Sequence, residues 1–163
     1  MDRSRLSRFI NQQLQELPLH EPAPVTLSTS VRDALTVMQT GSRSCVVALE
    51  EGRLAGIFTE RDVLTKCMEE GFDWEQPLGT ATSAGRDVLT REPKVIGAQQ
   101  TVADAIATMQ QHHYRTLPVL AGEQLIGLVR LGDLLTHLAE AYPEDVLNLP
   151  PRPHQVMERP EGG

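Results

Sequence analysis

The sequence predicts a mixed α/β (α+β) fold in which two copies of one β-α-β-β-α unit pack as a pseudo-symmetric pair. Three observations carry that prediction. A shift of 71 residues lays SVRDALTVMQTGSRSCVVALEEGRLAGIFTERDVLTK (30–66) over TVADAIATMQQHHYRTLPVLAGEQLIGLVRLGDLLTH (101–137) without a gap, as in a tandem duplication. Both copies place apolar residues at i, i+3, i+4 and i+7, the period of a helix with one buried face. Both then carry two short apolar runs joined by a charged, glycine-containing turn, the pattern of a hairpin.

Residues 1–18 are expected to form an amphipathic helix marked by Leu6, Phe9, Ile10, Leu14 and Leu17. The first repeat, 19–70, opens with the apolar lead-in PVTL (24–27), and its first helix faces the core with Val31, Ala34, Leu35 and Met38. The runs SCVVAL and RLAGIF follow as a hairpin, and a second helix carries Val63, Leu64, Cys67 and Met68. Residues 71–86 belong to a stretch rich in Gly, Thr and Ser and read as a linker, with Trp74 as a plug over the core. The second repeat, 87–141, has the same order. It runs from KVI (94–96) to a helix with Val102, Ala105, Ile106 and Met109, then the hairpin TLPVL and QLIGLV, then a helix with Leu134, Leu135, Leu138 and Ala139. Pro118 is awkward there, because a proline in a central strand has no N–H for the ladder. Residues 142–163, which include PPRP (150–153), are expected to trail as an extended proline-rich tail. A unit of this size rarely buries a sufficient core alone, so the repeats should pack together, with a pocket at their seam.

Composition narrows the function classes. The 163 residues are 40% hydrophobic and carry a formal net charge of −7. That charge repels phosphate backbones, and the scattered Lys and Arg argue against nucleic-acid binding. Apolar runs such as CVVAL (45–49) fall far short of the roughly 20 residues of a membrane-spanning helix. The first residues lack a signal peptide's apolar stretch, so a cytoplasmic protein is expected. Cys45 and Cys67 have no paired spacing and read as buried thiols. His112 and His113, adjacent at a helix end, cannot share one face as metal ligands would, and are expected to flank the pocket or face solvent. The chain has no G-x-x-x-x-G-K-[ST], no G-x-S-x-G and no H-E-x-x-H. Neither a catalytic apparatus nor a cofactor is expected.

The chemistry concentrates where the last strand of each repeat meets its second helix. In GIFTERD (56–62), Thr59 and Asp62 have the spacing of a capping box. The second copy, GLVRLGD (127–133), has Arg130 where the hydroxyl stood and keeps the acid as Asp133. A carboxylate retained without its cap points to another task. An ionised carboxylate accepts hydrogen bonds from both hydroxyls of a ribose, while a helix N-terminus and arginines favour phosphate. Arg43 and Arg61 in the first copy, and Arg115 and Arg130 in the second, supply the cations. Together these groups describe a nucleotide site; the plainer alternative is solvated arginines beside a capped helix.

Paired β-α-β-β-α units that each end in Gly-x-x-Ser/Thr-x-x-Asp resemble the CBS domain pair, or Bateman module, from about residue 19 to 140. GIFTERD fits that motif fully, and GLVRLGD departs from it at Arg130. DVLTREPKVI (87–96) resembles the Met-Thr-x-x-Pro lead-in of many CBS units, with Leu89 at the Met position. The resemblance implies an adenosine-containing ligand, AMP, ADP, ATP or S-adenosylmethionine, in two clefts between the repeats. It implies a first cleft with Asp62 on the ribose and with Thr59, Arg61 and Arg43 towards phosphate. Thr90 would reach in from the other repeat, and the backbone around Lys94, Val95 and Tyr114 would clasp the adenine. The second cleft would use Asp133, Arg130, Tyr114 and the stretch around Pro24 and Val25, with His20 at the place of Thr90 and Pro24 at that of Lys94. The resemblance also implies a free-standing, non-catalytic regulatory module that forms a homodimer through its second helices and acts on a partner protein the sequence does not name. Two other functions stay open: a structural scaffold with empty clefts, and an enzyme acting on nucleotides.

Overall fold

Ser30 and Thr101 begin equivalent helices by accepting the N–H of the residue three positions on, as N-caps do. Around them the structure, a computed structural model that describes residues 3–141, repeats one arrangement twice. The proline-rich tail expected at 142–163 lies outside the described residues. After α1 (Arg3–Ile10), the first repeat runs β1 (Pro24–Val25), α2 (Val31–Thr40), β2 (Cys45–Glu50), β3 (Arg53–Thr59) and α3 (Glu60–Asp62). The second runs β4 (Ile96–Gly97), α4 (Val102–His112), β5 (Thr116–Ala121), β6 (Gln124–Arg130) and α5 (Leu131–Ala141). Each makes a three-stranded sheet with the middle strand parallel to the first and antiparallel to the third. The register slips at the same place in both hairpins, between Ala48 and Leu49 and between Val119 and Leu120.

The periodicity placed the first helices correctly. Val31, Ala34 and Met38 on α2 are buried, as are Val102, Ala105 and Met109 on α4. Two expectations are corrected. The N-terminal helix ends at Ile10, well short of residue 18. Beyond it Leu14 and Gln15 donate their N–H groups to Gln100 and Ala98 of the second repeat, both at 2.9 Å. This tether, with a single 3-10 turn over Leu14–Glu16, carries Leu14 and Leu17 into the second repeat's core. The second helix of the first repeat is a single turn, α3, that widens into a π turn over Val63–Cys67. The linker and the second repeat's lead-in tie that turn down, with Arg86 donating to Thr65 O and Lys66 to Val88 O. Pro118 does occupy a central strand, at no cost to the ladder. It faces Leu128, whose N–H and C=O both bond His20 on the other side, so this pair exchanges no hydrogen bonds.

Each lead-in crosses to the other repeat. Leu19 and His20 lie along β6, with His20 and Leu128 exchanging both backbone hydrogen bonds at 2.9 Å. Leu89 and Thr90 lie along β3, where Thr90 and Ile57 do the same. The motif glycines exist for these crossings. A Cβ on Gly56 would stand 2.2 Å from Leu89 Cδ1 and 2.8 Å from Thr90 O, and one on Gly127 would stand 2.6 Å from Leu19 Cβ. The crossings also divide the core. Phe9, Leu14 and Leu17 pack with the second repeat, while Leu78 of the linker and Val88 and Leu89 of the second repeat's lead-in pack with the first, covered by Phe72 and Trp74 in edge contact. Cys45, Val47, Ile57 and Leu128 form the seam between the two halves.

Candidate functional site

Asp62 is one of two buried polar residues among those described, with 6% of its surface exposed. It closes the capping box that the TERD spacing suggests. Its Oδ2 accepts from Thr59 N and Thr59 Oγ1, both at 2.8 Å, and Thr59 Oγ1 accepts from Asp62 N at 3.3 Å. Its Oδ1 takes partners from further away. Lys66 Nζ lies at 2.7 Å, and Thr90 Oγ1 donates across the repeat boundary at 3.2 Å. All the acceptor directions of the carboxylate are therefore occupied from within the chain.

Around this floor opens a cleft of about 360 Å³ lined by both repeats. The first contributes Ser44, Cys45, Ile57, Thr59, Glu60, Arg61 and Asp62. The crossing segment adds Thr90, Pro93 and Lys94, and the second repeat adds His113, Tyr114, Arg115, Thr116 and Pro118. His113 adopts a left-handed conformation (φ 55°) at the end of α4. Its carbonyl accepts from Arg61 Nη2 at 3.3 Å, and Tyr114 beside it stacks on His112 with ring centres 5.7 Å apart. Arg61, Lys94 and Arg115 pair with no carboxylate among the described residues. The cleft thus has a polar floor, an apolar wall and a cationic rim. Burial pushes the Cys45 thiol up to about 11, so at neutral pH it is a protonated and weak nucleophile. Among the described residues no three His, Cys, Asp or Glu side chains converge as metal ligands do.

The equivalent place in the second half is built differently. Arg130 closes a two-pronged fork on Asp133, Nε to Oδ2 at 2.7 Å and Nη2 to Oδ1 at 2.6 Å. That hydrogen-bonded guanidinium holds the Asp133 carboxyl below its ordinary range. His20 stands beside the pair, and burial, then the Arg130 charge, lowers its pKa. The space here is divided. Asp133 and His20 line a pocket of about 250 Å³ with Leu134 and His137, while Arg130 lines a separate groove of about 670 Å³ with Arg43 and Leu64. The acid retained without a hydroxyl cap is thus held by the arginine that replaced the cap.

Six of the ten candidate residues, Thr59, Arg61, Asp62, Thr90, Lys94 and Tyr114, meet in the one cleft. Arg43 does not join them. The left-handed turn at Ser42 (φ 49°), equivalent to that at His113, sends Arg43 to the second half, where its Nη1 donates to Glu21 O. For the same reason Tyr114 serves only the first cleft, being the counterpart of Arg43 and not its companion. Val95 is exposed and not part of the lining. Lys66 was missed, though its place four residues after Asp62 is a helical ion-pair spacing. His113, expected to flank the pocket or face solvent, lines the cleft, while Pro93 had no local signal that would place it there.

Comparison with known proteins agrees with this architecture. The family model described as CBS domain matches residues 14–69 and 85–140. The CBS domain-containing protein YhcV of Bacillus subtilis is 28% identical over 112 residues, which cover 69% of this chain and 75% of YhcV. The match spans 60% and 59% of the length of two other curated relatives. The CBS domain protein PAE2072 of Pyrobaculum aerophilum, solved in complex with AMP, superposes with a TM-score of 0.65 at 19% identity. That match covers 79% of this chain and 99% of that one. The CBS domain pair of protein MJ0100, solved with 5′-methylthioadenosine and S-adenosyl-L-methionine, superposes at 0.66 with 14% identity, over 79% and 97% of the two chains. Two matched repeats, their mutual crossing and the glycine-to-aspartate junction in each place this chain in the CBS domain family.

Proposed function

We propose that this chain is a non-catalytic regulatory module that binds an adenosine-containing ligand, AMP, ADP, ATP or S-adenosylmethionine, in the Asp62 cleft and passes occupancy on through conformation or assembly. One observation carries the reading: a cleft between the repeats joins a carboxylate floor and two threonine hydroxyls to three cations that, among the described residues, have no carboxylate partner. An anion with a hydroxylated sugar suits both ends. Tyr114 and the backbone at Lys94 would flank a base, and the ligands solved in two proteins of the same fold belong to this chemical class. The Arg130–Asp133 fork makes the second half the weaker site. No described helix is long and apolar enough to cross a membrane, and we place the module in the cytoplasm.

A second reading, a scaffold with empty clefts, draws support from the saturated hydrogen bonding of Asp62. A nucleotide-processing enzyme fits less well, since Cys45 is protonated and the two acids are tied into ion pairs. A thermal-shift screen across AMP, ADP, ATP, S-adenosylmethionine and NAD separates the first two. A ligand that binds only the folded state at 100 times its dissociation constant adds about 2.7 kcal/mol. A raised melting temperature with at least one adenosine ligand supports sensing, and no shift with any of the five supports the scaffold. Turnover of ATP or AMP would establish the enzyme.

A further inference from the structure

The occupied state of Asp62 poses a question that the reading above leaves unanswered. A carboxylate offers about four acceptor directions, and Thr59 N, Thr59 Oγ1, Lys66 Nζ and Thr90 Oγ1 fill them. An incoming hydroxyl can bond this carboxylate only by displacing one of the four. The two bonds from Thr59 belong to the capping box at the mouth of α3, and breaking them would undo the turn that positions Asp62. The Thr90 hydroxyl contributes the longest bond, 3.2 Å, and carries no charge. Lys66 contributes the charged one. Its ammonium also donates to Val88 O at 3.2 Å and keeps some access to solvent, so it has somewhere to go.

We propose that Lys66 is a resident competitor for the ligand: in the empty protein it holds the Asp62 Oδ1 position that a ligand hydroxyl takes on binding, and so it sets the affinity of the cleft. The inference rests on the sensing reading given above. It has a structural consequence. Lys66 lies in the π turn between Leu64 and Met68, which are 70% and 66% exposed. Its release from Asp62 loosens one of the ties that hold this turn, and so links the occupancy of the cleft to an exposed apolar surface.

Lys66→Met keeps the length of the side chain and removes its charge and its donors. Leaving Asp62 without a counter-charge makes the empty variant less stable. With the competitor gone, ligand binding should tighten by about tenfold or more, the low end for a hydrogen bond to a charged group. Calorimetric titration of AMP, ADP, ATP and S-adenosylmethionine into both proteins tests this. Tighter binding by the variant, including binding where the wild type shows none, is the expected result. Unchanged affinity would make Lys66 a fixed structural partner of Asp62, and weaker binding would make it a ligand contact; either overturns the proposal alone. No heat from either protein with any of the four removes the sensing reading and this proposal with it. Hydrogen exchange on the wild type gives a result even if the variant does not fold. Faster exchange over 63–67 at saturating ligand is expected, and slower exchange there would contradict release of the turn.

Discussion

Asp62 and Asp133 stand at equivalent junctions and hold different partners, because one residue upstream differs. Thr59 caps and leaves the acid to Lys66 and Thr90, while Arg130 forks onto both oxygens of its acid and divides the space beside it. Asp62→Asn should therefore remove most adenosine-ligand affinity, about 10-fold or more, and Asp133→Asn should leave it largely intact. Titration calorimetry checks both, with circular dichroism to establish folding; a larger loss from Asp133→Asn would make the second half the working site. His20 allows a test by pH. Burial lowers its pKa below 6.5, so between the two values the unfolded chain binds a proton that the folded one does not. Stability from this group is present above about 6.5 and lost as pH falls through the lowered folded value. Melting temperature should fall more steeply from about pH 7.5 to about pH 5.5 in the wild type than in His20→Gln, and equal slopes would contradict this. The acids and Arg61 were legible in the sequence because a junction motif lies within a few consecutive residues. Arg43 was misplaced because only the left-handed turn at Ser42 decides which cleft the next residue enters.

At the scale of elements, the crossings of Leu19–His20 and Leu89–Thr90 make the two motif glycines structural. Gly56→Ala and Gly127→Ala should each cost about 1–3 kcal/mol, as overpacking does. Gly132→Ala is the control: nothing lies within 4 Å of a Cβ there, and alanine is the better helix former. Denaturant midpoints give the comparison, and a loss at Gly132 equal to that at Gly56 would contradict the close-approach account. The second helices carry the next prediction. Leu64 and Leu135 are 70% and 59% exposed, and a homodimer through these elements would cover both. Leu64→Asp or Leu135→Asp should then abolish association, since each buries an unpaired charge at the interface. Sedimentation velocity would settle it, and a wild type that stays monomeric at every accessible concentration would exclude this dimer. Periodicity identified α2 and α4 because their buried faces repeat through the whole helix. It overextended α1 and the helix after β3, whose ends are set by bonds to Gln100, Ala98 and Val88 from elsewhere in the chain.

For the whole molecule, the duplication was visible at once as a gapless 71-residue shift, and with it the paired sheets and a pocket at their seam. The exchange of lead-ins between repeats came only from the family resemblance, which brought Thr90 in from the other repeat; the bridges His20–Leu128 and Thr90–Ile57 join residues more than 30 positions apart with no local pattern. That exchange makes the Asp62 cleft a property of both halves: Thr90, Lys94 and Tyr114 face Thr59 and Asp62 only when the repeats are docked. A ligand there bridges the two halves, so its binding can report on, and alter, how they sit together. The most direct measurement of this account is a calorimetric titration of the wild-type chain with AMP, ADP, ATP and S-adenosylmethionine in turn. The account predicts saturable heat with at least one of them at a stoichiometry of one per chain, because the Arg130–Asp133 fork engages both oxygens of the second acid and makes that site the weaker one. Two equal sites per chain, or no heat with any of the four, would contradict it.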